Sequence, residues 1–303
     1  MADSIEIIVN ASAGSGHTRP WADQLIEKFR TGGLKVHVTL AQSGKELTEA
    51  AERAIAAQPR AVIAGGGDGT INAVGSMLAH TDIAFGVLPL GTLNHFAKDM
   101  KIPLVLDEAI GNIIAGHSVA VDVGEVNGRI FLNNSSLGIY PDIVRDREKQ
   151  QQRLGRGKWA AFFWACISAL RRYPFLDVRL TAGDLERRLR SPFIFIGNNE
   201  YAMEGFNIGS RSCMNGARLS LYVAQHTGRL GLLRLAASAL LARLQQERDF
   251  DMITTKEIQI ASRRKRLRVA TDGEVTVMAT PLLYRIHPCA LRVIVPKMDG
   301  SAL

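Results

Sequence analysis

Residues 60–72, RAVIAGGGDGTIN, carry the strongest structural signal in the chain. The apolar run Arg60–Ala64 is typical of a buried strand, and a helical pattern follows over Ile71–Ala79. The four glycines between them allow a ligand to approach the backbone closely, and the free N–H groups at a helix start attract phosphate. The stretch therefore predicts a strand, a phosphate-binding turn and a helix, with Asp68 placed to hold a metal ion or accept a proton. A plain strand-to-helix turn capped by Asp68 is the alternative interpretation.

The same rhythm of strand, loop and helix continues on both sides of this stretch. Further strands are predicted at Ile5–Val9, Leu34–Leu40 and Ile83–Leu88, and further helices at Trp21–Phe29 and Glu46–Ala57. Steady alternation of this kind indicates a parallel sheet with helices on both faces. Ligands of such sheets bind beyond the carboxyl ends of the strands.

Two more loops are predicted at that edge of the sheet. Asn10–Gly16 follows the first strand, and Gly91–Asn94 follows the strand that ends at Leu88. Thr92 and Asn94 offer a hydroxyl and an amide to phosphate oxygens or to Asp68. Asn94 also suits the N-cap of a short helix, and the two roles are compatible.

The second part of the chain shows a different pattern, with many short strands and few helices. Strands are predicted at Ala120–Val126, Arg129–Asn133, Asp177–Thr181, Ser191–Gly197, Arg218–Ala224, Glu257–Ala261 and Leu267–Ala270. Helical patterns cover only Lys158–Arg172 and Leu230–Arg243. A chain of 303 residues has room for about two domains, so we expect a second, antiparallel β domain.

Composition limits the possible classes of protein. Hydrophobic residues make up 47% and charged residues 22%, which argues against disorder. The net charge of +8 favours an anionic partner, which could be phosphate, nucleic acid or an acidic membrane face. The apolar run Trp159–Leu170 is too short to span a bilayer. Three scattered cysteines and no recognisable secretion signal lead us to expect a cytoplasmic protein without disulfides or a zinc site.

Four motifs together resemble one family. They are Asn10-x-x-x-Gly14, GGDGTIN over Gly66–Asn72, PLGTLNHFA over Pro89–Ala97, and DGE over Asp272–Glu274. In this order they resemble the diacylglycerol kinase catalytic-domain family, which includes bacterial lipid kinases and, more distantly, sphingosine and ceramide kinases. GGDGT alone is less specific, because NAD kinases and phosphofructokinases also contain it.

The resemblance implies a fold and an activity. It implies a Rossmann-like parallel α/β nucleotide domain over residues 1–122, rejoined by residues 290–303 through a last strand at Leu291–Val295. Residues 123–289 would form an antiparallel β-sandwich that takes the lipid acceptor. The implied reaction is ATP-dependent phosphorylation of a hydroxyl of diacylglycerol or a related lipid, by in-line transfer with Mg²⁺.

The resemblance also assigns roles by position. Glu274 would be the proton acceptor, with Asp272 and Asp68 as further catalytic residues, and Asp68 and Asp122 would hold Mg²⁺ with ATP. The implied ATP-binding residues are Asn10, Ala11, Ser12, Ala13, Gly14, Thr39, Gly66, Gly67, Asp68, Gly69, Thr70, Ile71, Asn72, Thr92 and Asn94.

Two positions depart from the family pattern. His95 stands where the family often has Asp. The change removes a carboxylate that could bind a metal ion or join a hydrogen-bond network, or else His95 is an ordinary surface residue. Met214–Leu219 corresponds to a turn that binds a structural Mg²⁺ in several bacterial members. Asn215 and Arg218 are poor replacements for hard anionic ligands, so we predict that this turn does not bind the metal.

The basic stretches leave the partner open. Arg263–Arg268 could bind nucleic acid or anionic lipid head groups, or could be a solvated strand edge. Arg156–Arg172, with its aromatic residues, suits an interfacial membrane contact or a core helix equally. We expect an enzyme that is peripheral to the inner membrane face and has no nucleic acid partner, with a homodimer left open. The alternatives are a kinase of a soluble acceptor such as NAD, or a catalytically weak nucleotide- or lipid-binding regulator.

Overall fold

The structure is a computed structural model that describes residues 2–14, 16–138, 175–204, 207–211, 213–224 and 250–297. The chain divides into two compact units. The first unit contains Met1–Val123, Cys213–Gly216 and His287–Leu303, and the second contains Gly124–Ser212 and Ala217–Ile286. The chain enters the second unit within strand β5 (Ser118–Val126) and returns within strand β18 (Leu282–Ile294).

The first unit is built on a parallel sheet. Its elements are β1 (Ala2–Asn10), α1 (Arg19–Thr31), β2 (Val36–Ala41), α2 (Gly44–Ala56), β3 (Pro59–Gly66), α3 (Asp68–Leu78), β4 (Ala84–Pro89), α4 (His95–Asp99) and α5 (Leu106–Ala115). The strands lie in the order β2-β1-β3-β4, and all of these neighbours are parallel. The last part of β18 pairs parallel to β4, with Val293 opposite Phe85.

Helices cover both faces of this sheet. Leu25 of α1 and Ile110 of α5 are buried with Ile63 of β3 in one apolar cluster. Successive residues of a strand point to opposite faces, so Gly66 faces the other side from Ile63. On that other side Thr70 of α3 packs directly over Gly66. Burial on both faces explains why β3 is apolar along nearly its whole length.

The second unit is a β-sandwich. Its remaining strands are β6 (Arg129–Phe131), β7 (Asn134–Gly138), β8 (Leu176–Ala182), β9 (Leu185–Ser191), β10 (Phe193–Asn198), β11 (Tyr201–Glu204), β12 (Asn207–Arg211), β13 (Leu219–Ala224), β14 (Phe250–Thr255), β15 (Glu257–Ser262), β16 (Arg266–Thr271) and β17 (Glu274–Ala279). One layer is the sheet with the order β14-β13-β10-β7-β16-β17, and the other layer contains β9, β8, β15 and the start of β18. Both are antiparallel, and an apolar core that includes Ile196, Val269 and Ile260 joins them.

These findings confirm the predicted fold class of a parallel α/β unit combined with an antiparallel β-sandwich. One predicted strand is too long: Arg129–Asn133 ends at Phe131, because the N–H groups of Leu132 and Asn133 turn away to the carboxylate of Asp272. The predicted helices at Lys158–Arg172 and Leu230–Arg243 lie outside the described residues. So does the aromatic and basic stretch Arg156–Arg172.

Candidate active site

Three loops of the first unit leave the carboxyl ends of neighbouring strands and are hydrogen-bonded to one another. Asn10, the last residue of β1, donates from Nδ2 to Oγ1 of Thr70 over 3.3 Å. The N–H of Leu90, after β4, donates to the carbonyl oxygen of Gly66 over 3.0 Å. The structure therefore brings together the three segments that the sequence analysis singled out.

Asp68 is the first residue of α3, and its carboxylate joins α3 to the third loop. Its Oδ1 accepts a hydrogen bond of 2.7 Å from the backbone N–H of His95. Because the contact uses the backbone of His95, it does not depend on the side chain at that position. Oδ2 of Asp68 has no hydrogen-bond partner in the part of the chain that the structure describes, and the residue is only partly buried.

The loops approach so closely that one glycine is required. A Cβ on Gly91 would lie 2.4 Å from the Cα of Gly67 and 2.9 Å from Oδ1 of Asn94. Asn94 adopts a left-handed conformation with φ of 52°, and its side chain bonds both the N–H and the carbonyl of Gly91. Asn94 is therefore buried and stabilises its own loop, whereas Thr92 is exposed.

The remaining predicted ATP-binding residues differ in what they can offer a ligand. The side chains of Ala11, Ala13 and Ile71 are buried in the core, which leaves only their backbone groups. Gly14 has φ of +60°, and its backbone lies against the carbonyl of Leu90. Thr39 pairs with Ile8, two residues before β2 ends. The first N–H groups of α3 have no partner within a helix and point to the loop edge, which is a favourable place for an anion.

Asp122 is held inside the first unit. It is 1% exposed, its Oδ1 accepts the N–H of Cys289 over 2.9 Å, and its own N–H donates to the carbonyl of Met214. A carboxylate buried in this way is poorly placed for an ion that arrives with ATP. The structure thus favours Asp68 over Asp122 as a ligand of such an ion.

Mg²⁺ can be tested against the residues present. Among the described residues no three His, Cys, Asp or Glu side chains come together as a metal cluster. Mg²⁺ in nucleotide sites usually takes one or two carboxylates and completes its coordination with phosphate oxygens and water. Oδ2 of Asp68 fits that requirement, because it is a hard oxygen ligand beside the helix N-terminus.

The DGE motif forms a tight hairpin turn in the second unit. Asp272 and Gly273 have φ of 49° and 86°, and they connect the paired residues Thr271 of β16 and Glu274 of β17. Two residues with positive φ match a hairpin turn whose twist follows that of the strands.

Asp272 is the structural anchor of this turn. Its carboxylate accepts the N–H groups of Leu132, Asn133 and Asn134 at 2.7, 2.8 and 3.0 Å. Desolvation raises the pKa of Asp272 to about 6, against the opposite effect of the three donors and of Arg211. Both carboxylate oxygens are thus occupied by the protein backbone. This arrangement favours a positioning role over the catalytic role that the sequence analysis predicted for Asp272.

Glu274 is exposed, and its carboxylate is held by an arginine. Oε2 lies 2.5 Å from Nη2 of Arg129, whose Nη1 donates to Oγ1 of Thr276 over 2.7 Å. Arg129 on β6 therefore lies along β17 and fixes the orientation of Glu274. The other oxygen, Oε1, has no hydrogen-bond partner among the residues that the structure describes.

Sequence reasoning missed two arginines of this site. One is Arg129, and the other is Arg211, which is 7% exposed. Arg211 donates to the carbonyl of Leu132 and to Oδ1 of Asn133, at 2.7 and 2.9 Å. Neither arginine lies in a motif, and only the folded structure brings their side chains to the turn.

The Met214–Leu219 stretch holds no acidic side chain in the structure or in the sequence. Residues Cys213–Gly216 belong to the first unit, while Ala217 and Arg218 belong to the second. Within the second unit, the carbonyl of Arg218 accepts the N–H of Asn199. The prediction that this turn binds no Mg²⁺ stays a prediction.

The structure combines a parallel sheet that carries a GGDGT turn with a β-sandwich that carries a DGE turn. This is the combination that the sequence analysis associated with lipid kinases. The family model described as "Diacylglycerol kinase catalytic domain" matches residues 4–126, and the model described as "YegS C-terminal NAD kinase beta sandwich-like domain" matches residues 141–295. This chain belongs to the diacylglycerol kinase catalytic-domain family, as the motifs predicted.

Individual relatives agree with this assignment. A protein named diacylglycerol kinase from Bacillus subtilis (strain 168) is 26% identical over 98% of both chains. A "Probable lipid kinase YegS-like" from Yersinia pestis (strain Pestoides F) is 35% identical over 129 residues, which are 41% of this chain and 44% of that protein. A solved structure of a diacylglycerol kinase from Bacillus anthracis str. Sterne matches the fold with a TM-score of 0.71, at 20% identity over 97% of both chains.

Proposed function

We propose that this protein is an ATP-dependent lipid kinase that phosphorylates a hydroxyl of diacylglycerol or a related lipid, with Mg²⁺. The observation that carries the proposal is the set of three hydrogen-bonded loops around Asp68 at the start of α3. Phosphoryl transfer depends on positioning and on neutralising the phosphate charge, and backbone N–H groups in a fixed loop supply both. The first unit would then be the ATP-binding domain and the second the lipid-acceptor domain.

Asp68 and the glycine loops would act on the nucleotide. The N–H groups from Gly67 to Thr70 would hold phosphate oxygens, and Gly91 allows the two loops to meet closely enough for this. Oδ2 of Asp68 would hold Mg²⁺, which when bound neutralises phosphate charge. Oδ1 keeps its bond to the N–H of His95, so the ligand oxygen has a fixed direction.

Glu274 would act on the acceptor. Oε1 of Glu274 would accept the proton of the lipid hydroxyl. The hydroxyl oxygen would at the same time attack the γ-phosphorus in line with the leaving ADP. Arg129 would keep the carboxylate in one orientation. Asp272 would hold the turn in place through its three backbone contacts and would not touch the substrate.

Membrane association belongs to the same proposal. A diacylglycerol acceptor resides in a bilayer, and the net charge of +8 favours an anionic surface. No helix within the described residues is long and apolar enough to cross a membrane. We propose peripheral attachment to the inner membrane face from the cytoplasm.

One experiment tests the activity directly. The purified protein is incubated with labelled ATP, Mg²⁺ and a total lipid extract, and the labelled lipid is identified by mass. The same reaction with NAD and no lipid tests the soluble-acceptor alternative. We expect a labelled phosphatidic acid or a close relative. Label that appears only in NADP, or only in inorganic phosphate, would refute the proposal.

A further inference from the structure

One edge of the second unit combines cations with exposed aliphatic side chains. We call it the basic edge and define it by Arg263, Arg264, Lys265, Arg266, Arg268, Val277 and Ala279. The cations come from the β15–β16 loop and from β16, and the aliphatic residues come from β17. β17 is the last strand of its sheet, so this surface lies at a sheet border.

Strand geometry places these side chains on one face. Leu267 and Val269 of β16 are buried in the core, so their neighbours Arg266 and Arg268 point outward. Arg266 pairs with Ala279, and Arg268 pairs with Val277. Residues directly opposite in an antiparallel pair share a face. An outward row of cations therefore lies beside an outward aliphatic row, in which Val277 is 58% exposed.

The loop at the end of this row is ordered by hydrogen bonds. Thr280 donates from Oγ1 to the carbonyl of Arg264 over 2.7 Å and from N–H to the carbonyl of Lys265 over 3.1 Å. Oγ of Ser262 accepts the N–H of Arg264 over 3.3 Å. The loop cations are therefore presented from a fixed backbone.

The four cations at positions 263–266 differ in their ion pairing from several other arginines of the second unit. Other arginines of the second unit form ion pairs with acidic side chains; they are Arg129, Arg179, Arg187 and Arg285. Within the described residues, none of the four cations at 263–266 has an acidic partner. The segment from Ser262 to Thr271 also contains no Asp or Glu.

This combination fits a phospholipid surface better than a nucleic acid. Cations attract anionic head groups, and small aliphatic side chains enter the interfacial region of a bilayer. Surfaces that bind single-stranded nucleic acid add aromatic side chains on which bases stack, and the basic edge has none. We propose that the basic edge docks this protein onto an anionic membrane. The proposal rests on the proposed function, since it names the surface that would bring the enzyme to its lipid acceptor.

Vesicle binding tests the proposal without requiring catalysis. The probes are vesicles of phosphatidylcholine mixed with phosphatidylglycerol and vesicles of phosphatidylcholine alone, assayed by co-sedimentation. The test variant is R263Q/R264Q/K265Q. The matched control K35Q/R53Q/R60Q removes the same charge from exposed positions of the first unit. We expect the test variant to bind anionic vesicles about 10- to 100-fold more weakly than the control.

A second variant tests the aliphatic row. V277T keeps a β-branched shape on the edge strand, and we expect it to weaken vesicle binding several-fold, also at salt concentrations that screen the cations. Kinase activity on a short-chain diacylglycerol dispersed in detergent should be unchanged in both test variants. Failure of the wild type to phosphorylate that acceptor counts against the proposed function, whereas the vesicle result judges the basic edge separately.

Several outcomes would overturn the proposal. One is equal vesicle binding by R263Q/R264Q/K265Q and the charge-matched control. Another is equal binding of the wild type to vesicles with and without phosphatidylglycerol. Tight binding of a DNA or RNA strand, lost in the test variant while vesicle binding persists, would assign the surface to nucleic acid. Self-association of the test variant with intact vesicle binding would show that the cations serve to protect the edge strand from pairing.

Discussion

In the proposed mechanism, Asp68 would perform two tasks with one carboxylate, one task for each oxygen. Oδ1 joins α3 to the loop before α4, while Oδ2 is free of partners among the described residues. Asparagine can keep the first contact through its own Oδ1, because that contact needs only an acceptor. It offers a neutral amide where the second oxygen would meet a metal ion.

We therefore expect Asp68→Asn to keep the fold and lose turnover. The loss of a charged ligand should lower kcat by about 100-fold or more, with an altered dependence on Mg²⁺ concentration. Steady-state kinetics over a range of Mg²⁺, together with a thermal unfolding curve, measures both effects. A well-folded variant with nearly normal turnover would remove Asp68 from the mechanism.

Glu274 and Arg129 should behave as a base and its positioning residue. Glu274→Gln removes the proton acceptor, so kcat should fall by about 10²- to 10⁴-fold with little change in ATP affinity. Arg129→Gln leaves the carboxylate in place but unoriented, and we expect a smaller loss of kcat, about 10-fold. Steady-state kinetics, combined with a direct measurement of ATP binding, tests the expected effects of both variants. Loss of ATP binding in Glu274→Gln, with ATP binding retained in Asp68→Asn, would reverse the two assignments.

Asp272 should contribute to stability in a pH-dependent way. Its pKa is raised from 3.8 to about 6, so the folded protein holds this proton more tightly than the unfolded chain does. The protonated carboxyl of Asp272 therefore contributes fully to the free energy of unfolding below about pH 4. This contribution, at most about 3 kcal/mol, is lost as the pH rises through 6.

Urea unfolding of wild type and Asp272→Asn at two pH values tests this sign. The asparagine variant does not titrate, and its amide also places a donor against backbone donors. We expect the stability gap between wild type and variant to be larger at pH 4 than at pH 7. A gap that widens towards pH 7 would mean that the three N–H donors and Arg211 outweigh desolvation.

At the scale of elements, the glycines of the site loops have unequal importance. A Cβ at Gly91 would collide with the backbone of Gly67, but a Cβ at Gly69 would meet nothing within 4 Å. Gly69 lies inside α3, where alanine favours the helix by about 0.5–1 kcal/mol.

Gly91→Ala should consequently destabilise the first unit by about 1–3 kcal/mol and reduce activity, while Gly69→Ala should be as stable as wild type or more so. Denaturant unfolding of the two variants gives the comparison. If the first turn of α3 receives phosphate, Gly69→Ala should still raise the KM for ATP. Equal unfolding free energies for both variants would contradict the close approach of the two loops.

The sequence predicted some elements well for a physical reason. β3 and α3 were predicted because burial on both faces makes β3 continuously apolar and because the glycine turn separates it clearly from α3. β9 was not predicted: as the last strand of its sheet it exposes Arg187, Arg188 and Arg190, so its sequence resembles a charged loop.

The candidate site was predictable only where its chemistry lies in local motifs. GGDGTIN and DGE reveal Asp68 and Glu274 because each turn needs its glycine and carries a carboxylate beside it. Arg129 and Arg211 reach the DGE turn from positions far away in sequence, and a single arginine in a polar stretch gives no signal. The anchoring role of Asp272 depends on three N–H groups of the segment after β6, which only the folded structure brings to the carboxylate.

At the scale of the whole molecule, the first unit contains a segment, His287–Leu303, that comes after the second unit in sequence. Val293 is fully buried beside β4, the N–H of Val295 donates to the carbonyl of His117, and the N–H of His80 donates to the carbonyl of Ala290. These contacts join residues that are about 180 to 210 positions apart along the chain. Pairing at such separation is slow to form, so the sheet that carries the glycine loops depends on a segment that follows the whole second unit in sequence.

This dependence predicts that a change in β18 disturbs nucleotide binding from a distance. Val293→Ala removes two buried methyl groups from the first unit and should lower its unfolding free energy by about 2 kcal/mol. The neighbouring variant Arg292→Ala, at an exposed position, should change it by less than about 0.5 kcal/mol. Because a ligand stabilises only the unit that binds it, excess ATP should raise the midpoint of the same transition that Val293→Ala lowers. Unfolding followed with and without ATP measures both shifts, and an ATP-sensitive transition that Val293→Ala leaves unmoved would show that β18 does not support the nucleotide loops.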